Sequence, residues 1–427
     1  MAETFADVAC THCGCVCDDL RLTVADGQIV AAEGACSLAE PKLVGLRSEP
    51  AERQQPSING RPAPLNEALR HAAQLLRSAR MPLIYGLSQS STAGQRAACR
   101  LADRLGAVID TTASLCHAPS IMALQQAGES TCSLGEVRHR SDLIIYWGSN
   151  PVVSHPRHLE RYSALSNGQF AGDGRAGRTL VVVDVRPTET SEIADLFIQV
   201  PPNSDFDLLW ALRSLVRGLP LAANWQPPPG VALETIRDLA DRMQHCRSGT
   251  LFFGLGLTRG GVGHASVEAL LRLVSDLNRH TRFYARRMRV YGDVAGADSV
   301  LCWQTGFPFS VNLARGYPRY NPGEYSAGPL LERGEVDACV LVGSEGLTNM
   351  PPAALEYLRS IPTVVLDHPP SSLGWLPTVH FPTATYGIHR PGTAYRMDEV
   401  PIPLRPVLSS SLPSDDEVLH GILERLK

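Results

Sequence analysis

One pattern recurs along this 427-residue chain: a short apolar run, a glycine turn, then a stretch with helical periodicity. MPLIYGLSQS leads into TAGQRAACRLADRLGA, GTLFFGLGLTRGG into HASVEALLRLVSDLNR, and VDACVLVGSEGLTN into AALEYLRSIP. SDLIIYWGSNP, RTLVVVDVRPTETSEIADLFIQV and TVVLDHPP continue the series. Short continuous apolar runs mark strands buried on both faces, and their alternation with helices predicts parallel sheets covered on each side. The chain is too long for one ordinary core. The expected class is therefore α/β, with interleaved doubly wound parallel-sheet domains.

Residues 1–45 form a small unit of their own, because LRLTVADGQIVAAEGA alternates around Asp26-Gly27, a strong hairpin signal. The expected division continues with an α/β domain from 46–115 and 330–400, and a dinucleotide-binding-like α/β domain over 116–270. A region over 271–329 reads as active-site loop, since 284–327 is rich in Gly, Pro, Tyr and Arg and breaks the cadence. Residues 401–427 close the chain. With 44% apolar residues, 19% charged residues and a net charge of −4, the composition is that of a globular protein and gives no nucleic-acid surface. There is neither an apolar run of membrane-spanning length nor a basic n-region with an apolar h-region, so no membrane association and a cytoplasmic location are expected.

Cys10, Cys13 and Cys17 are spaced C-x2-C-x3-C, and Cys36 follows after the hairpin. Four thiolates from one loop and one later turn can enclose a 4Fe-4S cluster, which takes four cysteine ligands. The hairpin would bring Cys36 back to the loop, giving a small N-terminal β-hairpin iron–sulfur domain. Zinc and free thiols are the competing readings; zinc sites more often pair two knuckles or mix in histidine. Cys15 is a bystander in this reading.

Elsewhere, glycine turns close strands at Gly86, Gly148, Gly254 and Gly343, where the backbone can approach an extended phosphate-bearing ligand. Asp184 ends VVVDVRP, a place where a carboxylate can grip a ribose. Cys116-His117-Ala118-Pro119 sits between a strand end and a proline-started helix, where the positive helix terminus favours a thiolate. A thiolate there can bind a soft metal, and His117 could donate a hydrogen bond or shuttle a proton. Arg286, Arg287 and Arg289 could hold phosphate or carboxylate groups by paired hydrogen bonds.

CTHCGCVCDD with the later ACS, SLCHAPS, YWGSNPVVSHPRHL, WQTGFPFSVNLARGYPRYNPGE and GTAYRMDEVPI, in this order, resemble the B subunit of formylmethanofuran dehydrogenase. That family is a member of the molybdopterin oxidoreductase group, and the likeness runs over essentially the whole chain. The resemblance implies a cluster domain on interleaved α/β domains that hold a bis-pterin guanine dinucleotide with tungsten or molybdenum. It implies that Cys10, Cys13, Cys17 and Cys36 ligate the cluster and that Cys116 coordinates the metal, with His117 and Arg287 beside it. Lys42 matches a lysine between cluster and pterin, and Asn150, His155, Arg157, Asp184 and Asn203 fall where dinucleotide contacts are expected. The implied reaction interconverts CO2 and formate, coupled to formyl-methanofuran on a partner, with A, C and D type subunits and an electron carrier as partners. The sequence departs from the family at Ala118, at Arg390-Pro391-Gly392 and at VYGDVAG over 290–296. Those departures raise an alternative: a catalytically silent structural B subunit of a formyltransferase/hydrolase complex.

Overall fold

The computed structural model describes residues 1–48, 54–172, 174–369 and 373–426. The chain divides into two compact units, Met1–Leu115 with Tyr291–Lys427, and Cys116–Val290. No helix among the described residues is long and apolar enough to cross a membrane.

The discontinuous unit is built on a nine-stranded sheet. Its centre is five parallel strands in the order Val108–Thr111, Pro82–Gly86, Ala338–Val342, Thr363–Asp367, Val379–Pro382. In chain order this is 2-1-3-4-5, so the winding reverses between Pro82–Gly86 and Ala338–Val342. Short antiparallel strands close both edges. Successive side chains of a strand point to opposite faces, and both faces here are covered. Ile84, Val340 and Leu366 pack under the helices Leu65–Ser78, Thr92–Leu105, Val294–Thr305 and Asp415–Glu424. Tyr85, Leu341 and Val365 pack under Ala327–Glu332 and Pro352–Ser360. Each such aliphatic side chain contributes about 1.5–3 kcal/mol on burial.

The first residues of this unit make a separate antiparallel sheet, Ala2–Val8, Leu20–Ala25 and Gln28–Glu33. Asp26 (φ 51°) and Gly27 (φ 71°) form its turn, and two positive φ angles are what a tight two-residue hairpin turn requires. The free side of Gln28–Glu33 is covered: Ile29 N–H donates to Leu46 O (2.9 Å), and Gly45 N–H donates to Ile29 O (2.9 Å).

The continuous unit has five parallel strands in the order Leu196–Gln199, Thr179–Asp184, Leu143–Trp147, Ser248–Phe253, Arg282–Arg287. Its chain order is 3-2-1-4-5, reversing between Leu143–Trp147 and Ser248–Phe253. Ile145, Val181, Leu251 and Phe283 face one core with the helices Asp205–Val216, Leu233–His245 and Gly263–Leu277. On the other face Tyr146 stacks on Phe252 at 5.2 Å.

Two expectations are corrected. The stretch 284–327 is not irregular, and 271–329 is not a loop region: it holds the strand Arg282–Arg287, the helix Val294–Thr305 and a two-strand edge hairpin at Val311–Asn312 and Arg319–Tyr320. The strand was masked by Arg286 and Arg287, which are buried rather than exposed. The helix was masked because it is buried on most sides and carries no polar stripe. The units also end elsewhere than expected. Arg282–Arg287 completes the second sheet, and Asp415–Glu424 packs on Thr92–Leu105, so 401–427 belongs to the discontinuous unit.

Candidate functional site

In the continuous unit the parallel register lines up the carboxyl ends of four strands at Asp184, Gly148, Gly254 and Arg287. The reversal of strand order falls between Gly148 and Gly254, where an open sheet leaves a crevice for ligand. Both positions require the absence of a side chain. Gly148 has φ 55° and a Cβ there would lie 2.8 Å from Leu257 N, while a Cβ on Gly254 would lie 2.6 Å from Gly148 O. Asn150 continues this edge; its Oδ1 accepts from Thr190 Oγ1 (2.7 Å) and its Nδ2 donates to Glu189 Oε2 (2.6 Å). Asp184 is half-buried, burial raises its carboxyl above the ordinary range, and its Oδ1 accepts from Val185 N–H (2.7 Å). Asn203 sits in left-handed backbone (φ 65°) with its Oδ1 beside Gly260.

Cys116 precedes the ten-residue helix Ala118–Ala127, whose N-cap is His117 and whose first turn holds Pro119. The Cys116 carbonyl accepts from Thr258 Oγ1 (3.2 Å), which ties this cysteine to the turn that follows Gly254. His117 is fully buried. Its Nε2 lies 3.0 Å from Met288 O, so that nitrogen carries the proton, and Nδ1 faces Ser120 Oγ at 3.3 Å. Burial, then the charges of Arg289 and Arg287, push its pKa down to about 3. The ring is therefore neutral, suited to holding a hydrogen bond rather than to shuttling a proton near pH 7.

The arginines that end the edge strand are buried as well. Arg287 pairs with Glu129 at 3.2 Å, their side chains 9% and 5% exposed. Arg286 donates to Thr131 Oγ1. The Arg289 carbonyl accepts from His155 Nε2 (2.7 Å), and burial, His155 and Arg286 hold His158 well below its ordinary pKa. Arg157 lies apart from this edge in its chemistry: its Nε is occupied by Glu160 (2.7 Å).

In the discontinuous unit the reversal lies between Gly86 and Gly343. Gly86 has φ 112° and a Cβ there would lie 2.3 Å from Val342 O; a Cβ on Gly343 (φ 82°) would lie 2.8 Å from Gln89 Cβ. From the second turn Glu345 reaches out, accepting from Lys42 Nζ (2.5 Å) and Gln89 Nε2 (2.9 Å). Lys42, Glu345 and Gln89 border a cavity of about 500 Å³ that also touches Cys10, Thr11 and His12.

The cysteine loop follows the strand Ala2–Val8. Cys10 N–H donates to Cys17 O (2.7 Å), closing the loop, and Cys10, Cys13, Cys15 and Cys17 are buried. Burial, Cys13, Cys17 and Cys36 all act on the Cys10 thiol and raise its pKa, so each of these three cysteines lies within electrostatic reach of Cys10. A hydrogen bond from Cys15 lowers the Cys13 pKa. Among the described residues no group of three or more His, Cys, Asp or Glu is placed to hold a metal ion. A cubic cluster spaces its thiolates more widely than a single ion does, and this open set of four thiols fits such a cluster in donor type and number.

Gly148, Asn150, Asp184 and Gly254 lie together at the carboxyl ends of one sheet, Gly86 and Gly343 at those of the other, and Lys42 reaches the second through Glu345. Glu345, Gln89, Ser120 and Glu129 were not singled out from sequence. Glu345 stands inside the GSEG turn, but its partner Lys42 is 303 residues away.

No family model matches the chain. It is 38% identical over 434 residues to the B subunit of the tungsten-containing formylmethanofuran dehydrogenase 2 of Methanocaldococcus jannaschii, covering 100% of this chain and 99% of that one. To the B subunit of the same-named enzyme of Methanococcus maripaludis it is 35% identical over 431 residues, covering 99% of each. Among solved structures, a chain of the formyltransferase/hydrolase complex (FhcABCD) from Methylorubrum extorquens, in complex with methylofuran, superposes with a TM-score of 0.70 at 24% identity. That match covers 87% of this chain and 98% of the other, and at this identity it shows the fold alone.

Proposed function

Because the chain belongs to the B-subunit family of formylmethanofuran dehydrogenase, we propose that it is the redox component of such a complex. It interconverts CO2 and formate at a pterin-bound tungsten or molybdenum centre and passes electrons through a 4Fe-4S cluster. Subunits of A, C and D type and an electron carrier are its partners. The observation that carries the reading is the pair of glycine-lined strand reversals, Gly86 with Gly343 and Gly148 with Gly254, one per unit. Each crevice, at the carboxyl ends of its own sheet, suits a phosphate-bearing nucleotide of the kind a pterin guanine dinucleotide carries.

Cys10, Cys13, Cys17 and Cys36 would hold the cluster, and Cys116 would give its thiolate to the metal. When bound, the metal–pterin group supplies two-electron chemistry and the cluster supplies one-electron transfer. This chain's residues do the rest. Arg287, held by Glu129, presents fixed positive charge that attracts and orients a small carboxylate. His117 stays neutral, its proton on Nε2 engaged by the Met288 carbonyl, so it positions rather than protonates. Asp184, Asn150 and Asn203 offer acceptors and donors to a nucleotide along the strand ends, with His155 and Arg157 in the segment that follows Asn150. Lys42 places an ammonium group at the rim of the cavity beside Cys10 and His12, and Glu345 holds it there.

A second reading, the silent structural role in a hydrolase complex, is favoured by the departures from the family pattern at Ala118 and at Arg390-Pro391-Gly392. Metal analysis of the anaerobically purified complex separates the two. About four irons and one tungsten or molybdenum per chain, with viologen-linked oxidation of the formyl substrate, supports the redox role. Absence of these metals alongside intact formate release supports the silent one.

A further inference from the structure

The strand Ala2–Val8 is the outer strand of the three-stranded sheet, and among the described residues nothing pairs with its second edge. Both its faces are open as well: Ala2, Glu3, Thr4, Ala6 and Asp7 are all exposed. An exposed strand edge is a row of unpaired N–H and C=O groups, which proteins ordinarily blunt or cover. The opposite edge of this same sheet is covered by the chain itself, through Ile29, Gly45 and Leu46.

The first forty residues, which include the open strand, are strongly acidic. Residues 1–40 carry seven Asp or Glu and one Arg, a net of −6 in a chain whose total is −4, leaving +2 for the remainder. Arg21 is itself near Glu33 at 3.7 Å. Glu3 and Asp7 lie on the open strand, and Asp7 holds a positive φ (55°) at an irregularity in the pairing between Phe5 and Val8. Like charges on facing strands repel, so this edge rejects a second copy of itself while accepting a strand with lysine or arginine side chains. The strand also runs directly into the cysteine loop, with Val8 two residues before Cys10.

We propose that the open edge of Ala2–Val8 docks a basic-faced electron-carrying protein, which adds a strand to this sheet beside the cysteine loop. The proposal rests on the redox reading and names the surface its electron partner uses. Main-chain pairing supplies the affinity, and the carboxylates select a basic partner and speed its approach at low salt.

Residue-resolved hydrogen exchange on the complex isolated with its partner subunits tests this. An open edge strand protects alternate amides, whereas an added strand protects consecutive ones. The expected result is consecutive protection across Glu3–Ala6 at low salt, slowed about tenfold or more relative to the same complex in high salt. The double variant E3K/D7K is expected to lose both that pattern and the co-eluting basic-faced protein, with iron per chain unchanged. Protection at alternate residues only, in the native complex, overturns the proposal. So does an E3K/D7K complex that keeps its partners but self-associates, because the acids then serve only to keep copies apart. Should the native complex hold no iron, the redox reading falls on that measurement, while docking is still judged by the exchange pattern.

Discussion

The two parallel sheets solve one backbone problem with opposite electrostatics. Each reverses its strand order at a pair of glycines that a Cβ could not replace without meeting backbone or a neighbouring side chain within 3 Å. At Gly86 and Gly343 the polar groups are partly exposed and mutually neutralised, Lys42 on Glu345 and Gln89 on Glu345, the ion pair 50% and 40% exposed. At Gly148 and Gly254 the neighbouring strand end carries buried guanidinium groups that depress a buried histidine. Strand order therefore makes the crevice, and the side chains one or two residues beyond it decide what the crevice can do.

The sharpest break of that comparison is Cys116→Ser. Loss of this thiol is expected to cut viologen-linked activity by more than about 100-fold, beyond the cost of losing an outer-shell partner, while iron content stays unchanged. An unchanged rate would remove the continuous unit from the chemistry.

The glycine pairs come next. Gly86→Ala combines positive φ with a backbone clash and should destabilise by about 3 kcal/mol or more. Gly254→Ala keeps an ordinary backbone angle and meets first the Gly148 carbonyl and the Ser149 side chain, so about 1–3 kcal/mol is expected. Thermal unfolding of both variants, read with their pterin content, ranks the two crevices; the reverse ranking would contradict the geometry.

Asp293 gives a pH test in the discontinuous unit. Burial raises its carboxyl from the ordinary 3.8 to about 8, although it accepts from Tyr395 N–H (2.7 Å) and Gly296 N–H (2.9 Å). Between those pH values the folded chain keeps a proton that the unfolded chain has released. This group's contribution is thus complete below about pH 4 and is lost as pH rises toward 8, at up to about 1.4 kcal/mol per pH unit. Melting temperatures from pH 5 to 8 should fall in the parent and less steeply in Asp293→Asn; parallel curves would show that this carboxyl does not titrate as its burial demands.

The smallest stability effect belongs to Lys42→Met. An ion pair this exposed contributes less than about 1 kcal/mol, so unfolding should barely move. Electron transfer through the cysteine loop should slow several-fold in stopped-flow reduction, and equal rates would leave Lys42 a surface residue.

Much of this was legible in the chain. The apolar runs that became Pro82–Gly86, Leu143–Trp147, Ser248–Phe253 and Ala338–Val342 announce buried parallel strands, and their glycines announce the turns. The order of those strands was not legible, because placing Ala338 beside Pro82 is a long-range choice that local periodicity does not record. Arg282–Arg287 was hidden for a different reason: Arg286 and Arg287 look like surface residues until Thr131 and Glu129 are found beside them. Cys116 and the four early cysteines were visible by type and spacing, whereas Glu345 gained meaning only once Lys42 was seen against it.

The split of one sheet around an inserted unit has a consequence for synthesis on the ribosome. Pro82–Gly86 emerges about 250 residues before Ala338–Val342, its neighbour. At translation rates of about 5–20 residues per second, its apolar edge waits roughly 13–50 s for that neighbour. The inserted unit, whose strands are all complete by Arg287, can finish during the delay. A nascent chain of this design needs either a chaperone over its first strands or rapid completion of the second unit, and the sheet that adjoins the early cysteines is the last part to mature.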